Sequence, residues 1–152
     1  MEMFPTLKKL LTFETECVIV PLPKQSTTFG KGHAYTDKKK AAYVAKLAEH
    51  FRKEYKFKGL MSGPISVQVL FVFPTSKSNL ARLGVRGWYP HLTTPDIDNL
   101  TKPLFDALTG TVWKDDKQVF HKNVLALNGK QGKIHLGISL CKIPKTCQYR
   151  LQ

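Results

Sequence analysis

The chain has 152 residues, and its 24 Lys and Arg against 11 Asp and Glu give a formal net charge of +13 and a pI near 9.8. That length suits one domain with a buried core, and 42% apolar residues with nine Phe exclude a disordered chain. No run is long and apolar enough to span a bilayer, and Met1-Glu2-Met3-Phe4-Pro5 has no apolar signal core, so a soluble, cytoplasmic protein is expected.

The positive excess attracts polyanions, of which nucleic acid is the commonest inside cells. An acidic membrane surface fits less well, because no strongly amphipathic basic helix carries bulky apolar anchors. Cys17, Cys141 and Cys147 are odd in number and form no C-x-x-C pair, which reads as reduced thiols rather than a disulfide framework or a zinc site.

In chain order, Glu16 to Leu22 predicts a strand that ends at Pro21 and Pro23. A loop rich in Ser, Thr, Gly and Lys follows, through Gly32-His33-Ala34. Thr36 or Asp37 is placed to cap a helix reaching about Tyr55. Its apolar stripe is Tyr43, Val44, Leu47, Ala48 and Phe51, and Lys38, Lys39, Lys46, Arg52 and Lys53 lie on its other face. Ile65 to Phe73 is the strongest strand, ended by Pro74. Residues 74–95 read as a long loop, a length that in compact domains marks function or mobility.

A short helix is expected between about Asn99 and Leu108, stopped by Gly110. Leu100, Leu104, Phe105 and Leu108 form its apolar face, and Pro103 implies that regular helix begins only near Lys102. Two strands, about Val119 to Leu127 and Ile134 to Leu140, close the chain, with Asn128-Gly129 as a hairpin turn between them. The sum is α+β: a single small domain over residues 1–152, its core about 16–142 with short tails. It has a mixed, largely antiparallel sheet and two main helices.

The acids carry the chemistry. Aspartates stand at 37, 96, 98, 106, 115 and 116, and five of the six fall between 96 and 116. Even spreading would put about one there. A phosphate-binding surface avoids carboxylates unless a cation stands between. If the chain stays extended past Pro95, Asp96 and Asp98 point to one side, as suits a hard dication such as Mg²⁺. Asp98, Lys102 and Asp106 follow at helical spacing, so Lys102 sits beside the carboxylates, within reach of a scissile phosphate. Asp115-Asp116 can return to the same rim after Gly110. Taken singly, Asp98 reads as a helix cap, Lys102 with Asp106 as a surface pair, and Asp115-Asp116 as a solvated turn. The cluster as a whole, in so basic a protein, favours metal chemistry.

The run from Pro95 to Leu108 (PDIDNLTKPLFDAL), followed by Trp113-Lys114-Asp115-Asp116, resembles the RusA-type Holliday-junction resolvases. The shared pattern is D-x-D-N-L-x-K, then D-A-L, then a D-D pair, and every position is filled. The resemblance implies a homodimeric α+β endonuclease that cuts four-way DNA junctions with Mg²⁺ or Mn²⁺ in recombination and repair. Its genes are often carried by phages and prophages. By position it implies Asp96, Asp98 and Asp116 as metal-binding catalytic acids, with Asp115 as a further candidate ligand, Lys102 as the catalytic lysine and Asp106 as structural. Some members carry an arginine-rich stretch before the first Asp; here that stretch is His91-Leu92-Thr93-Thr94-Pro95. The candidate DNA contacts are therefore Lys24 and Lys31 in the first basic loop and Lys77, Arg82 and Arg86 in the second.

His33, His50, His91, His121 and His135 show no metal-ligand spacing, and Gly30-Lys31-Gly32 is too short for a phosphate loop. Trp88 and Tyr89 suit either base stacking or the core. The competing function is a non-catalytic basic module for branched or duplex DNA. The acids separate the two readings, since binding alone gains nothing from carboxylates facing phosphates.

Overall fold

A computed structural model describes residues 8–24, 28–30, 33–35 and 38–142. Strand β1, Lys8–Cys17, buries Phe13, Thr15 and Cys17 on alternate positions. It overlaps the predicted strand, Glu16 to Leu22, only at Glu16 and Cys17. Past Cys17 the chain leaves the sheet, because Pro21 and Pro23 have no amide to donate to a ladder, and Val18 and Val20 are left exposed. Short strands β2, Thr28–Gly30, and β3, His33–Tyr35, pair with each other inside the segment expected to be loop. The cap positions Thr36 and Asp37, Lys31 and Cys147 lie outside the described residues.

Helix α1, Lys38–Glu54, buries Tyr43, Leu47, Ala48 and Phe51, as its stripe predicts. Strand β4, Ile65–Pro74, alternates cleanly: Ile65, Val67, Val69 and Phe71 are buried beneath the helices. On the other sheet face Leu70, Val72, Leu125 and Leu127 line grooves, with Leu125 exposed and Val72 buried. The 74–95 segment is more ordered than a loop, with a 3-10 helix at Lys77–Leu83 and a short strand β5 at Tyr89–Pro90.

Helix α2, Ile97–Leu108, starts five residues earlier than Pro103 suggests. Two local devices explain this. Asp96 is the N-cap and accepts a hydrogen bond from the Asn99 N–H at 3.0 Å. Pro103 has no N–H to offer the carbonyl four residues back, Asn99, and that oxygen accepts from the Lys24 N–H at 2.6 Å instead. The strap between β1 and β2 thus satisfies the group that proline orphans. Leu100, Leu104 and Leu108 are fully buried, and truncating any one to Ala would cost about 2–5 kcal/mol. Gly110, at φ +77°, turns the chain where a side chain would be strained.

Strands β6, Val119–Gly129, and β7, Lys133–Lys142, complete a five-stranded sheet in the order β1-β7-β4-β6-β5. The pair is not a hairpin. β4 lies between them, parallel to β6 and antiparallel to β7. Asn128 belongs to the ladder, opposite Tyr89, and residues 130–132 carry the chain past the end of β4. All other pairings are antiparallel, so the sheet is mixed and largely antiparallel, with α1 and α2 packed on one face. No helix among the described residues is long and apolar enough to cross a membrane.

Candidate functional site

Asp96, Asp98 and Asp106 lie along α2 and its cap, Asp115 and Asp116 lie in the turn that enters β6, and Lys102 links the two segments into one rim. Asp96 is extended at the cap and Asp98 already lies in the first helical turn, so the two are not alternate residues of an extended chain. The Thr94–Pro95 peptide ahead of them is cis. Four residues beyond Asp98, Lys102 reaches Asp106 at 3.0 Å and crosses to Asp116 at 3.5 Å. The Asp106 carboxylate, and Asp116 behind it, hold the Lys102 ammonium above its ordinary pKa, so it stays charged at neutral pH.

The second acid pair is fixed by the core. Trp113 is fully buried, stacks edge-on against Phe105 and donates its indole N–H to Thr109 Oγ1 at 3.1 Å. The next residues enter a 3-10 helix, Asp116–Gln118, closed by a capping box: Asp115 accepts from the Lys117 N–H and Gln118 Oε1 accepts from the Asp115 N–H. That Lys117 amide pulls the Asp115 carboxyl below its usual range. Gln118 also donates through Nε2 to the carbonyls of Met61 and Gly63, tying the acid turn to the loop before β4. Sequence reasoning passed over Gln118, although the spacing Asp115-x-x-Gln118 is the capping-box signal.

It also passed over Lys122. This residue lies on β6, on the helix-covered side of the sheet, and its Nζ is 3.2 Å from Asp98 Oδ1. Only the placement of β6 beside β4 brings it there.

The candidate DNA contacts separate. The Lys24 backbone is hydrogen-bonded to α2 at Asn99, beside the rim. Arg82 stacks on the Tyr89 ring, 4.4 Å from its centroid, and the Tyr89 hydroxyl meets Thr75 Oγ1 at 2.6 Å. Tyr89 pairs with Asn128, at the far end of β6 from Asp116. Nine strand residues at about 3.3 Å each put that end about 30 Å away. Lys77 and Arg86 belong to the same segment and, like Arg82, are exposed. Trp88 is partly exposed there.

As chemistry, the rim offers carboxylate oxygens, the donors a hard dication takes. Asp98 and Asp116 are 87% and 42% exposed, so their side chains are free to turn. As they stand, each is occupied by an ammonium group. Among the described residues no three Asp, Glu, His or Cys side chains converge as a ready ligand set. A cation would fit by displacing lysine nitrogens, not by entering a preformed cage.

Comparison with known proteins adds two findings. A family model described as Endodeoxyribonuclease RusA matches residues 18–139, a span that takes in the rim and most of the sheet. The uncharacterized protein YqaN of Bacillus subtilis (strain 168) is similar, 28% identical over 121 residues that cover 76% of this chain and 84% of that protein.

Proposed function

The chain belongs to the RusA endodeoxyribonuclease family, and from that premise we propose that it is a Mg²⁺- or Mn²⁺-dependent endonuclease. In this reading it cuts four-way Holliday junctions by paired phosphodiester hydrolysis, in recombination and repair. The observation that carries the proposal is that Lys102 of α2 meets Asp116 of the turn into β6, while Asp98, one helical turn before Lys102, meets Lys122 of β6, on a protein of charge +13. A surface built only to hold phosphate would not place carboxylates at its centre.

Asp96, Asp98 and Asp116 would hold the cation. When bound, it supplies positive charge that polarises the scissile phosphate and makes a nearby water more acidic. The remaining work falls to the chain. Lys102, kept protonated by its carboxylate neighbours, donates hydrogen bonds to phosphate oxygens as their negative charge grows during attack. Asp106 holds Lys102 in place, at 3.0 Å. The basic surface, including Lys24 beside the rim, neutralises the DNA backbone, so binding should weaken steeply with salt.

Two cuts on a nearly two-fold junction need two sites, and this chain carries one acid cluster. We therefore take the working form to be a homodimer, expected by light scattering at twice 17.2 kDa. The uncovered sheet face, with Leu125 57% exposed, leaves apolar surface for such a contact.

The deciding experiment incubates the protein with a synthetic four-way junction and a linear duplex of equal length, with Mg²⁺ and with EDTA. Symmetrical paired cuts in the junction, only with metal, are expected. Tight binding without cutting under any metal would favour the alternative, a non-catalytic module for branched or duplex DNA.

A further inference from the structure

We propose that Lys122 is a resident counter-cation for Asp98: it holds that carboxylate while the site is empty of metal and yields it to the incoming dication. The inference rests on the reading of the rim as a metal-dependent nuclease site, but it concerns a residue outside the D-x-D-N-L-x-K and D-D pattern.

The observation is geometric. Lys122 Nζ lies 3.2 Å from Asp98 Oδ1, and the two residues are 24 positions apart on different elements, β6 and α2. The pair is not the ordinary product of helical spacing. Lys102, one turn along α2 from Asp98, turns away from it to Asp106 and Asp116. The rim thus holds two lysines, divided between the two acids. Lys102 crosses to Asp116 and Lys122 crosses to Asp98.

Exposure decides what such a pair can do. The Lys122 side chain is 44% exposed and Asp98 87%, and ion pairs this wet are worth about 0–1 kcal/mol. That is too little to serve as a structural tie and little enough to be exchanged. Without a counter-charge, Asp98 would repel the phosphate it must later meet. With Lys122 beside it, DNA can settle on the rim before metal arrives. Once a dication takes the carboxylate, the ammonium is repelled and its long flexible stem lets it move to a backbone phosphate. Lys122 is in this sense a positioning residue, acting on the metal site through Asp98.

The test reads metal and DNA binding rather than cutting. Mn²⁺ is titrated calorimetrically into the DNA-free protein at low salt, as wild type, Lys122→Met, Lys122→Arg and Asp98→Asn/Lys122→Met. Removing a competing charge should tighten Mn²⁺ binding about fivefold in Lys122→Met, leave Lys122→Arg near wild type, and give no gain when Asp98 is also changed. In EDTA, Lys122→Met should bind the four-way junction more weakly, and the double variant should recover part of the loss. Unchanged Mn²⁺ affinity in Lys122→Met, or a gain that persists without Asp98, overturns the proposal. A wild-type protein that never cuts would overturn the nuclease reading instead, and a Mn²⁺ shift in that protein would leave the role of Lys122 standing.

Discussion

Asp96 and Asp115 each bind the backbone of the turn they begin, through the N–H groups of Asn99 and Lys117, whereas Asp98 and Asp116 each meet an ammonium group, of Lys122 and Lys102. The two acid pairs lie on separate segments, and both divide the same labour. One carboxylate shapes the chain and the other is held by an exchangeable ion pair. A dense acid motif in sequence therefore mixes two kinds of aspartate, and substitutions should pull them apart.

The largest expected effect is on the exchangeable members. Asp98→Asn and Asp116→Asn should lower junction cutting by at least about a thousandfold, the scale of losing a group that supports transition-state charge, and so should Asp96→Asn, because the cap uses only Oδ1 of Asp96 and leaves its other oxygen for the cation. Folding stability should change by no more than about 0.5 kcal/mol, and gel shifts should show undiminished junction binding. Normal cutting by either of the first two variants would break the division. Lys102→Ala comes next. It should bind the junction almost as wild type and cut about a hundredfold more slowly in single turnovers; an unchanged rate would reduce Lys102 to a surface partner of Asp106.

The anchoring members sharpen the comparison from the stability side. Asp96→Ala should lose about 1 kcal/mol in urea unfolding, while Asp96→Asn, an equally good cap, should hold. Equal losses in both would show that the cap is not what Asp96 contributes. The smallest effect belongs to Asp115. Its carboxyl is held below the unfolded value of 3.8 by the Lys117 amide, so its stabilisation is present above that pH and is lost as pH falls through the folded value. The melting temperature of Asp115→Asn should fall less on acidification past pH 3.8 than that of the wild type, and identical acid profiles would count against the hydrogen bond.

What could be read in advance follows from what is local. The stripe from Tyr43 to Phe51 and the leucines 100, 104 and 108 repeat at helical spacing, and the alternation from Ile65 to Phe73 needs no distant partner to be recognised. The acids were legible because five aspartates in one window contradict the charge of the whole chain. The misreadings turn on distant partners. Pro103 is tolerated because the amide of Lys24, far back in the chain, replaces the missing donor. Asn128-Gly129 has the composition of a tight turn, but β4 occupies the place where a hairpin would close. Lys122 is one lysine among many until the parallel register of β4 and β6 sets it opposite Val67, on the side facing the helices. Glu16 to Leu22 has the apolar content of a strand, yet only Glu16 and Cys17 pair, as the end of β1; past them Pro21 and Pro23 deny a ladder, and the chain becomes the strap whose Lys24 serves α2.

The pairing of β1 with β7 has a consequence for how the protein is made. Among the described residues β1 has no other neighbour, and its register runs from Lys8 opposite Lys142 to Cys17 opposite Ile134. At about 5–20 residues per second of synthesis, Phe13 and Cys17 are translated roughly 6–25 s before the strand that will pair with them is complete. During that interval β1 is a bare edge, open to wrong partners. Lys8, Lys9, Glu14 and Glu16 place charge along it, which discourages pairing with another chain. In the finished molecule those side chains lie at the surface; on the nascent chain they act as gatekeepers until β7 arrives.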